Sequence, residues 1–348
     1  MRYGKFLKKH GTIGIVAPSY GAYTEPYASL FNKALEKFMA LEYNVNVGPN
    51  CRKGDGVGIS TRPEDCGAEV NAAFANDDID VIISTGGGEL MCETLAYMDF
   101  WGIAAREPKW FMGFSDNTNL TFLLPTLCDT AAIYGPNASS FGQEPWHESL
   151  NDALKVLTGE KLTVRNYKLW EKESLRSVEN PFATVNATEP VVMKVYDKGK
   201  YKEADKKTSF SGRLLGGCLD VLTNIVGTKY DGMAAFNKRY EDEGIVWFLE
   251  SCDLNPYDVR RALWHLHSAG WFNTAKGFII GRPMHFGEEM PDLNMYDAVT
   301  GILSRYNVPI IMDCDIGHLS PMMPLVSGCK AGVNFADGEL SITQHLEA

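Results

Sequence analysis

The sequence predicts an α/β protein with a parallel sheet in its N-terminal half. Short runs rich in Val and Ile alternate with segments of helical periodicity, and these runs are apolar on both faces. A length of 348 residues, at roughly 150 residues per domain, favours two domains. We assign residues 1–150 to an N-terminal α/β domain, 151–210 to a connection with a polar insertion, and 211–348 to a C-terminal domain.

The first half is predicted to contain five strands separated by helices. Each predicted strand is short and rich in β-branched or aromatic residues. The helical segments place apolar residues on one face or open with Pro in the first turn. The predicted strands are 12–17, 45–47, 79–84, 110–114 and 131–134, and the predicted helices begin near Thr24, Thr61 and Asn117.

Residues 145–210 are polar and charged, with weak periodicity. We interpret this stretch as an interdomain connection with an exposed insertion. The alternative is a long loop that helps to close a substrate site. From Arg213 onward, apolar runs again alternate with helical segments, and Gly216-Gly217 precedes a helix. The remaining predictions are strands at 245–249, 277–281 and 309–313, helices at 256–269 and 296–305, and a C-terminal hairpin that turns at 336–338.

The charge balance argues against a nucleic-acid polymer as partner. Lys and Arg total 33 against 44 Asp and Glu, which leaves a net charge of −11, whereas a nucleic-acid-binding surface is usually basic. The apolar run 13–18 is too short and too broken by Gly to be the core of a signal peptide. No run reaches the roughly 18 apolar residues that a membrane span needs. We therefore expect a cytoplasmic protein without a membrane partner.

Metal and disulfide chemistry are both disfavoured. The eight cysteines are spread along the chain without a C-x-x-C pair or metal-site spacing, so we expect buried free thiols. The weaker alternative is a metal site formed by His285 with Glu288 or Glu289, in the segment GRPMHFGEE.

Ser115 lies in GFSDNT, residues 113–118, where a predicted strand runs directly into a helix. Such a turn exposes the hydroxyl at the carboxyl edge of the sheet, beside helix N-terminal amides that stabilise developing negative charge. This arrangement is typical of a nucleophile elbow, although the second Gly of G-x-S-x-G is absent here. The alternative is that Ser115 only caps the helix.

The glycines of STGGGE, residues 84–89, follow a buried strand. The backbone amides of such a turn can bind a phosphate or form an oxyanion hole. Because the segment has neither P-loop nor dinucleotide-binding spacing, nucleotide binding through it is disfavoured. A simple tight turn would use the same glycines, so the oxyanion-hole and structural interpretations both stay open.

Glu250 and His318 complete a candidate catalytic set with Ser115. Glu250 ends the apolar strand IVWFL, and His318 follows a predicted strand in DCDIGHLSP. A nucleophilic serine needs a base, and the base needs an orienting carboxylate. All three residues lie at carboxyl ends of predicted strands, where the active sites of open α/β sheets gather. Taken singly, residues such as Glu250 and His318 more often have structural roles, and it is their joint placement with Ser115 that favours catalysis.

These segments together resemble the S66 family of serine peptidases, which includes the LD-carboxypeptidases and the microcin C7 self-immunity proteins. The resemblance covers nearly the whole chain. It implies an N-terminal α/β domain that carries the serine and a smaller C-terminal domain of swivelling, barrel-like β/α character, with the site in the cleft between them. The segments that occur in the family's order are GTIGIVAPS (11–19), the Gly-Gly turn, GFSDNT, LLGGCL (214–219), FLE (248–250) and DIGH (315–318).

The resemblance implies a Ser-His-Glu triad. In it Ser115 is the nucleophile, His318 is the general base and later the acid, and Glu250 orients His318. The oxyanion hole then consists of the backbone amides of Gly87 or Gly88 and of Asp116. With this machinery no metal or nucleotide cofactor is expected, and the resemblance implies a homodimer.

The substrate expectation depends on which branch of the family the chain resembles. The extra length between about 165 and 212 resembles the microcin-immunity branch, where an inserted loop and aromatic residues contact a nucleotide-bearing substrate. Trp170 or Trp146 is the candidate stacking residue, with core packing as the alternative. Glu89 stands where that branch has an Asn-rich stretch, and we take it as a candidate substrate contact.

The resemblance thus implies hydrolysis of an amide bond next to a free carboxylate, in a peptidyl- or aminoacyl-nucleotide. The first alternative is an LD-carboxypeptidase that removes the terminal D-amino acid from a murein tetrapeptide. The second alternative is a non-catalytic binding protein of the same fold.

Overall fold

Two large sheets, with helices packed against them, organise the protein. The computed structural model describes residues 1–197, 199–202 and 207–346. Their strands, numbered along the chain, are β1 (Thr12–Val16), β2 (Asn44–Val47), β3 (Val81–Ser84), β4 (Trp110–Gly113), β5 (Ala132–Tyr134), β6 (Thr163–Arg165), β7 (Leu169–Trp170), β8 (Glu189–Pro190), β9 (Lys194–Asp197), β10 (Lys200–Lys202), β11 (Thr208–Cys218), β12 (Ile245–Glu250), β13 (Ala275–Gly281), β14 (Glu289–Met290), β15 (Leu293–Asn294), β16 (Ile310–Cys314), β17 (Leu325–Ser327), β18 (Lys330–Ala336) and β19 (Glu339–His345).

The helices alternate with the parallel strands, as the apolar periodicity predicts. Several open with Pro or a side-chain cap, such as Asn255, whose side chain accepts from the amides of Tyr257 and Asp258. No helix in the described ranges has both the length and the apolar character that a membrane crossing requires. The helices are α1 (Tyr27–Ala40), α2 (Pro63–Ala75), α3 (Met91–Thr94), α4 (Phe100–Ala105), α5 (Thr118–Cys128), α6 (Glu148–Thr158), α7 (Leu219–Ile225), α8 (Met233–Arg239), α9 (Pro256–Ser268) and α10 (Met295–Leu303).

The first sheet has the strand order β17-β5-β4-β3-β1-β2. Strands β1 to β5 pair in parallel, and β17 joins β5 in the antiparallel sense. The five strands predicted in the N-terminal half are therefore confirmed, with ends that shift by one or two residues. Their carboxyl ends meet at one edge of the sheet.

The second sheet has the order β10-β9-β16-β13-β12-β11-β18-β19-β6. Its four central strands are parallel, and antiparallel strands flank them on both sides. Within the described residues the sheet has two edge strands, β10 and β6, so it is open where a barrel would be closed. The predicted C-terminal hairpin is confirmed as β18 and β19, which turn at Asp337-Gly338.

Much of the stretch 151–210 is more ordered than its polarity predicts. The helix α6 buries Leu150, Ala153, Val156 and Leu157 on one face. Two strands from the same stretch, β6 and β9, pair with β19 and β16 of the second sheet. The weak periodicity of the whole stretch did not reveal these strands, because β6 and β9 contain only three and four residues.

The two sheets share their apolar cores. Each of the two hydrophobic clusters contains residues of both sheets, for example Ile83 with Phe248 in one and Ile82 with Trp247 in the other. At the contact of α5 with β11, the Thr118 hydroxyl accepts from the amide of Cys218 at 3.0 Å. The sheets are consequently held in one relative position by packing along their whole contact.

A buried ion pair anchors the loop after β16. Arg282 and Asp315 are 1% and 0% exposed, and their side chains form a salt bridge. Asp315 also accepts from the amide of Tyr167 at 2.7 Å, and Arg282 donates to the carbonyl of Asp313 at 2.7 Å. These bonds fix the start of the segment that leads to His318.

Replacing Asp315 with Asn should lower the free energy of unfolding by about 3 kcal/mol, because the guanidinium of Arg282 would remain buried without a counter-charge. The measurement is urea denaturation at neutral pH, followed by circular dichroism.

The matched control is Asp65→Asn, which removes a carboxylate 2.8 Å from Arg62 in an exposed ion pair. This variant should unfold close to the wild-type urea concentration, since exposed pairs contribute little. Equal destabilisation by the two substitutions would contradict the assigned importance of the buried pair.

Candidate active site

Ser115 stands at the turn between β4 and a short 3-10 segment, Ser115–Asn117, that leads into α5. Its backbone has a φ of 65°, in the left-handed region that non-glycine residues rarely adopt. Residues held in such conformations gather at functional sites. The sequence prediction of an elbow-like turn at Ser115 therefore matches the local backbone.

Ser115, His318 and Glu250 form one hydrogen-bonded chain. His318 Nε2 lies 2.9 Å from Ser115 Oγ, and His318 Nδ1 lies 2.8 Å from Glu250 Oε2. Glu250 is the last residue of β12, and His318 lies in the loop after β16, so both come from the second sheet. With the proton on Nδ1, the ring donates to the carboxylate and can accept from the serine hydroxyl.

Glu250 is 1% exposed, yet it is surrounded by donors. Burial raises the pKa of Glu250, but the charge of His318 and hydrogen bonds from His318, Tyr134 and Cys218 outweigh it, so the pKa lies below its ordinary value. For His318, burial lowers the pKa, and the negative charge of Glu250 prevails and raises it well above the ordinary value. Each of the two groups thus favours the charged form of the other.

Tyr134 is a site residue that the sequence interpretation missed. Its hydroxyl donates to Glu250 Oε1 at 2.5 Å, and its side chain is fully buried. Tyr134 ends β5, at the carboxyl edge of the first sheet. The rule that located Ser115, attention to residues at carboxyl ends of parallel strands, would also have found Tyr134.

The glycine turn lies against the serine. A Cβ added to Gly87 would lie 3.0 Å from Ser115 Oγ, so only glycine leaves that space open. Among the described residues, the amides of Gly87 and Gly88 donate to no other protein group. Together with the Asp116 amide, one residue past the serine, they are available to a negatively charged oxygen.

The side chain of Asp116 holds the turn in place. It is 4% exposed and accepts from Ser19 Oγ at 2.5 Å and from the Met91 amide at 2.9 Å. Asn119 Nδ2 donates to its other oxygen at 3.1 Å. Burial raises the pKa of Asp116 to about 6, against the opposing effect of these hydrogen bonds.

A cavity of about 510 Å³ opens beside Ser115 and His318. Glu89, the candidate substrate contact, lies in its lining. Burial, with the negative charges of Asp253 and Asp220, raises the pKa of Glu89. Arg176 also lines the cavity, and the sequence interpretation did not single it out, because a lone Arg in a polar segment carries no pattern.

Trp170 and Trp146 do not line this cavity in the structure. Trp170 is 5% exposed, packs its ring 5.1 Å from that of Phe286, and donates to the carbonyl of Pro190. Trp146 donates to the Phe141 carbonyl at 2.6 Å. Both tryptophans serve in packing here, which is the alternative given for them above. The interpretation of Trp170 as a stacking residue is therefore corrected.

The weaker metal alternative finds no donor set among the described residues. His285 Nδ1 lies 2.8 Å from Glu288 Oε2, in an exposed pair. No group of three or more His, Cys, Asp and Glu side chains in the described ranges could hold a metal ion. The eight cysteines are free and six of them are buried, as predicted.

Two regions of the chain match the two domains of one peptidase family. The chain matches the LD-carboxypeptidase N-terminal domain at residues 13–135 and the LD-carboxypeptidase C-terminal domain at residues 211–333. It is 27% identical to the microcin C7 self-immunity protein MccF of Escherichia coli over 285 residues, 79% of this chain and 77% of that protein. It is 23% identical to a probable murein peptide carboxypeptidase of Bacillus subtilis over 339 residues, 96% and 92% of the two chains.

The fold has solved counterparts. The structure of MccF in complex with aspartyl sulfamoyl adenosine superposes with a TM-score of 0.80 over 99% of both chains, at 24% identity. A likeness at this identity establishes the shared fold. Since the two matched domains span more than half of the chain, the protein belongs to the LD-carboxypeptidase family S66 and is a peptidase.

Proposed function

We propose that the protein is a serine-type carboxypeptidase or amidase with Ser115, His318 and Glu250 as its triad. Its substrate would be a peptidyl- or aminoacyl-nucleotide, cleaved at an amide bond next to a free carboxylate. The observation that carries the proposal is the hydrogen-bonded chain from Ser115 Oγ through His318 to the buried carboxylate of Glu250. A serine without a neighbouring base would not be activated as a nucleophile and would not support this proposal.

In the acylation step, Ser115 Oγ attacks the carbonyl carbon of the scissile amide while His318 Nε2 takes the hydroxyl proton. Glu250 stabilises the imidazolium that forms and keeps the proton on Nδ1. The oxygen of the tetrahedral intermediate becomes negative and accepts from the amides of Gly87 or Gly88 and of Asp116.

Collapse of the intermediate breaks the C–N bond, and His318 passes its proton to the leaving nitrogen. A water molecule then attacks the acyl-serine ester, again with His318 as base. The carboxylic acid leaves and the proton returns to Ser115 Oγ, so the enzyme ends as it began.

The nucleotide-bearing substrate is favoured by the likeness to MccF, whose solved complex contains aspartyl sulfamoyl adenosine. The murein alternative is favoured by the relative in Bacillus subtilis, which matches over 96% of this chain. A hydrolysis screen that compares a murein L,D-tetrapeptide with aminoacyl sulfamoyl adenosines, using purified protein, distinguishes the two. Turnover of the tetrapeptide alone would replace the first proposal with the second.

The same proposal includes the domain organisation, the oligomeric state and the location of the enzyme. Residues 1–150 would form the domain that carries the nucleophile, and 211–348 the domain that carries Glu250 and His318. A cytoplasmic homodimer is the proposed state, and analytical ultracentrifugation tests it. A non-catalytic binding protein of this fold would react with no fluorophosphonate probe, whereas the proposed enzyme should be labelled at Ser115.

Replacing Ser115 with Ala should lower kcat by about 10⁴-fold or more, because the nucleophile is lost. Folding should change little, since one hydroxyl is removed. The measurement is steady-state hydrolysis of whichever substrate the screen identifies, with thermal unfolding of both proteins. Ser211→Ala, on an exposed position of β11, is the control and should retain full activity. Activity of Ser115→Ala within tenfold of wild type would overturn the nucleophile assignment.

Replacing Glu250 with Gln should lower kcat by roughly 10²- to 10⁴-fold and change KM less, because the lost charge stabilises the imidazolium. The variant should also shift the pH profile. His318 accepts a proton only when unprotonated, so kcat/KM falls as the pH drops through the pKa of His318. Glu250 raises that pKa, and its removal should therefore move the acidic limb to lower pH.

The pH dependence of kcat/KM, measured for both proteins, checks this. An unchanged kcat in Glu250→Gln would mean that another acid orients the ring. Asp315 is a poor candidate for that role because it is paired with Arg282.

Treatment with a chelator should leave kcat unchanged within twofold, since the triad and the backbone amides supply both the nucleophile and the charge stabilisation. The measurement is activity before and after dialysis against EDTA. Loss of activity that zinc restores would contradict this and would direct attention to His285 and its neighbouring glutamates.

A further inference from the structure

Arg176 is a cationic side chain in the catalytic cavity, and its guanidinium has no ion pair or hydrogen bond to a described residue. It lines the same cavity as Ser115 and His318. A guanidinium that lines a cavity without an ion-pair partner is suited to an anionic ligand.

The other charged groups of the cavity leave this role to Arg176. His318 is engaged on both ring nitrogens, by Glu250 and by Ser115. Glu89 is negative and lies near the charges of Asp253 and Asp220, which would repel an anion. Of the described residues that line the cavity, Arg176 is therefore the one with a positive charge free for a substrate.

The segment that carries Arg176 is tied to the catalytic loop. The amide of Glu171 donates to the carbonyl of Ser320 at 2.7 Å, two residues past His318. The Glu171 carboxylate accepts from the amide of Asn186 at 2.6 Å, which closes the base of the segment. At the far side, the amide of Glu144 donates to the carbonyl of Phe182 at 2.8 Å. Arg176 is thus presented by a loop that is anchored at both ends.

We propose that Arg176 binds the oxyanion that adjoins the scissile amide of the substrate. A guanidinium offers two parallel N–H donors, which match the oxygens of a carboxylate or of a phosphoryl or sulfonyl group. In a murein peptide this oxyanion is the terminal carboxylate, and in an aminoacyl nucleotide it is the phosphoryl or sulfamoyl group. The proposal rests on the function proposed above and names its specificity determinant.

The test compares Arg176→Gln and Arg176→Lys with wild type on two substrates. One is the murein L,D-tetrapeptide, assayed beside its C-terminal carboxamide, and the other is aspartyl sulfamoyl adenosine. The matched control is Lys172→Gln, which removes an exposed positive charge from the same segment outside the cavity lining. Thermal unfolding should be unchanged in all variants, because the Arg176 guanidinium makes no hydrogen bond or ion pair to a described residue.

On the substrate that the enzyme hydrolyses, Arg176→Gln should lose roughly 10- to 100-fold in kcat/KM, mostly through KM, as expected for one charge-assisted interaction. Arg176→Lys should lie between Gln and wild type. If the tetrapeptide is the substrate, the preference for the acid over the carboxamide should disappear in Arg176→Gln. The substrate whose kcat/KM falls in Arg176→Gln shows whether the bound group is the carboxylate of a peptide or the phosphoryl or sulfamoyl group of a nucleotide.

Labelling of Ser115 by a fluorophosphonate separates this proposal from the one it rests on. Equal labelling rates in wild type and Arg176→Gln, with the loss in kcat/KM, support Arg176 as the binding residue. Equal labelling with kcat/KM within threefold of wild type on both substrates, or a loss matched by Lys172→Gln, overturns it. No labelling and no hydrolysis in wild type would refute the proposed function itself.

Discussion

The burial of one carboxylate, that of Glu250, constrains the rest of the site. A carboxylate removed from water is stable only when charged or hydrogen-bonding groups replace the solvent. Here His318 comes from the same sheet and Tyr134 from the other, and both bond to it. A relative shift of the two sheets would remove the Tyr134 hydrogen bond from this buried charge and separate His318 from Ser115. The geometry of the hydrogen-bonded chain and the packing of the sheets therefore depend on each other.

The turn at Ser115 depends on a second set of buried polar contacts. The left-handed backbone of Ser115 is unfavourable for a residue with a Cβ. The neighbouring Asp116 offsets this cost through its bonds to Ser19 and Met91, which tie the turn to two separate segments, and to Asn119 of the following helix. Glycine at position 87 then leaves open the space beside Ser115 Oγ. Strain at the serine is thus retained because its surroundings are rigid.

The segment between the two halves serves both stability and the site. Trp170 packs against Phe286 with the guanidinium of Arg282 over its ring, and Arg282 in turn neutralises Asp315 below the loop of His318. The same segment then turns outward and brings Arg176 to the catalytic cavity. Trp170, which the sequence offered as a candidate substrate contact, is therefore part of the support, while Arg176, which has no pattern in sequence, lines the cavity beside Ser115.

The sequence by itself determined the local elements and the edge at which chemistry gathers. Alternating apolar runs reveal buried parallel strands, and Ser115, Glu250 and His318 each follow such a strand, at the carboxyl ends where the sites of open α/β sheets gather. Short strands such as β6 and β9 escaped prediction because they contain too few residues to show a period. Only the tertiary structure decided that Tyr134 reaches Glu250 across 116 positions of sequence and His318 reaches Ser115 across 203. Periodicity shows which residues of a single segment are buried. These long-range contacts depend on how the two sheets pack against each other, and no local sequence pattern carries that information.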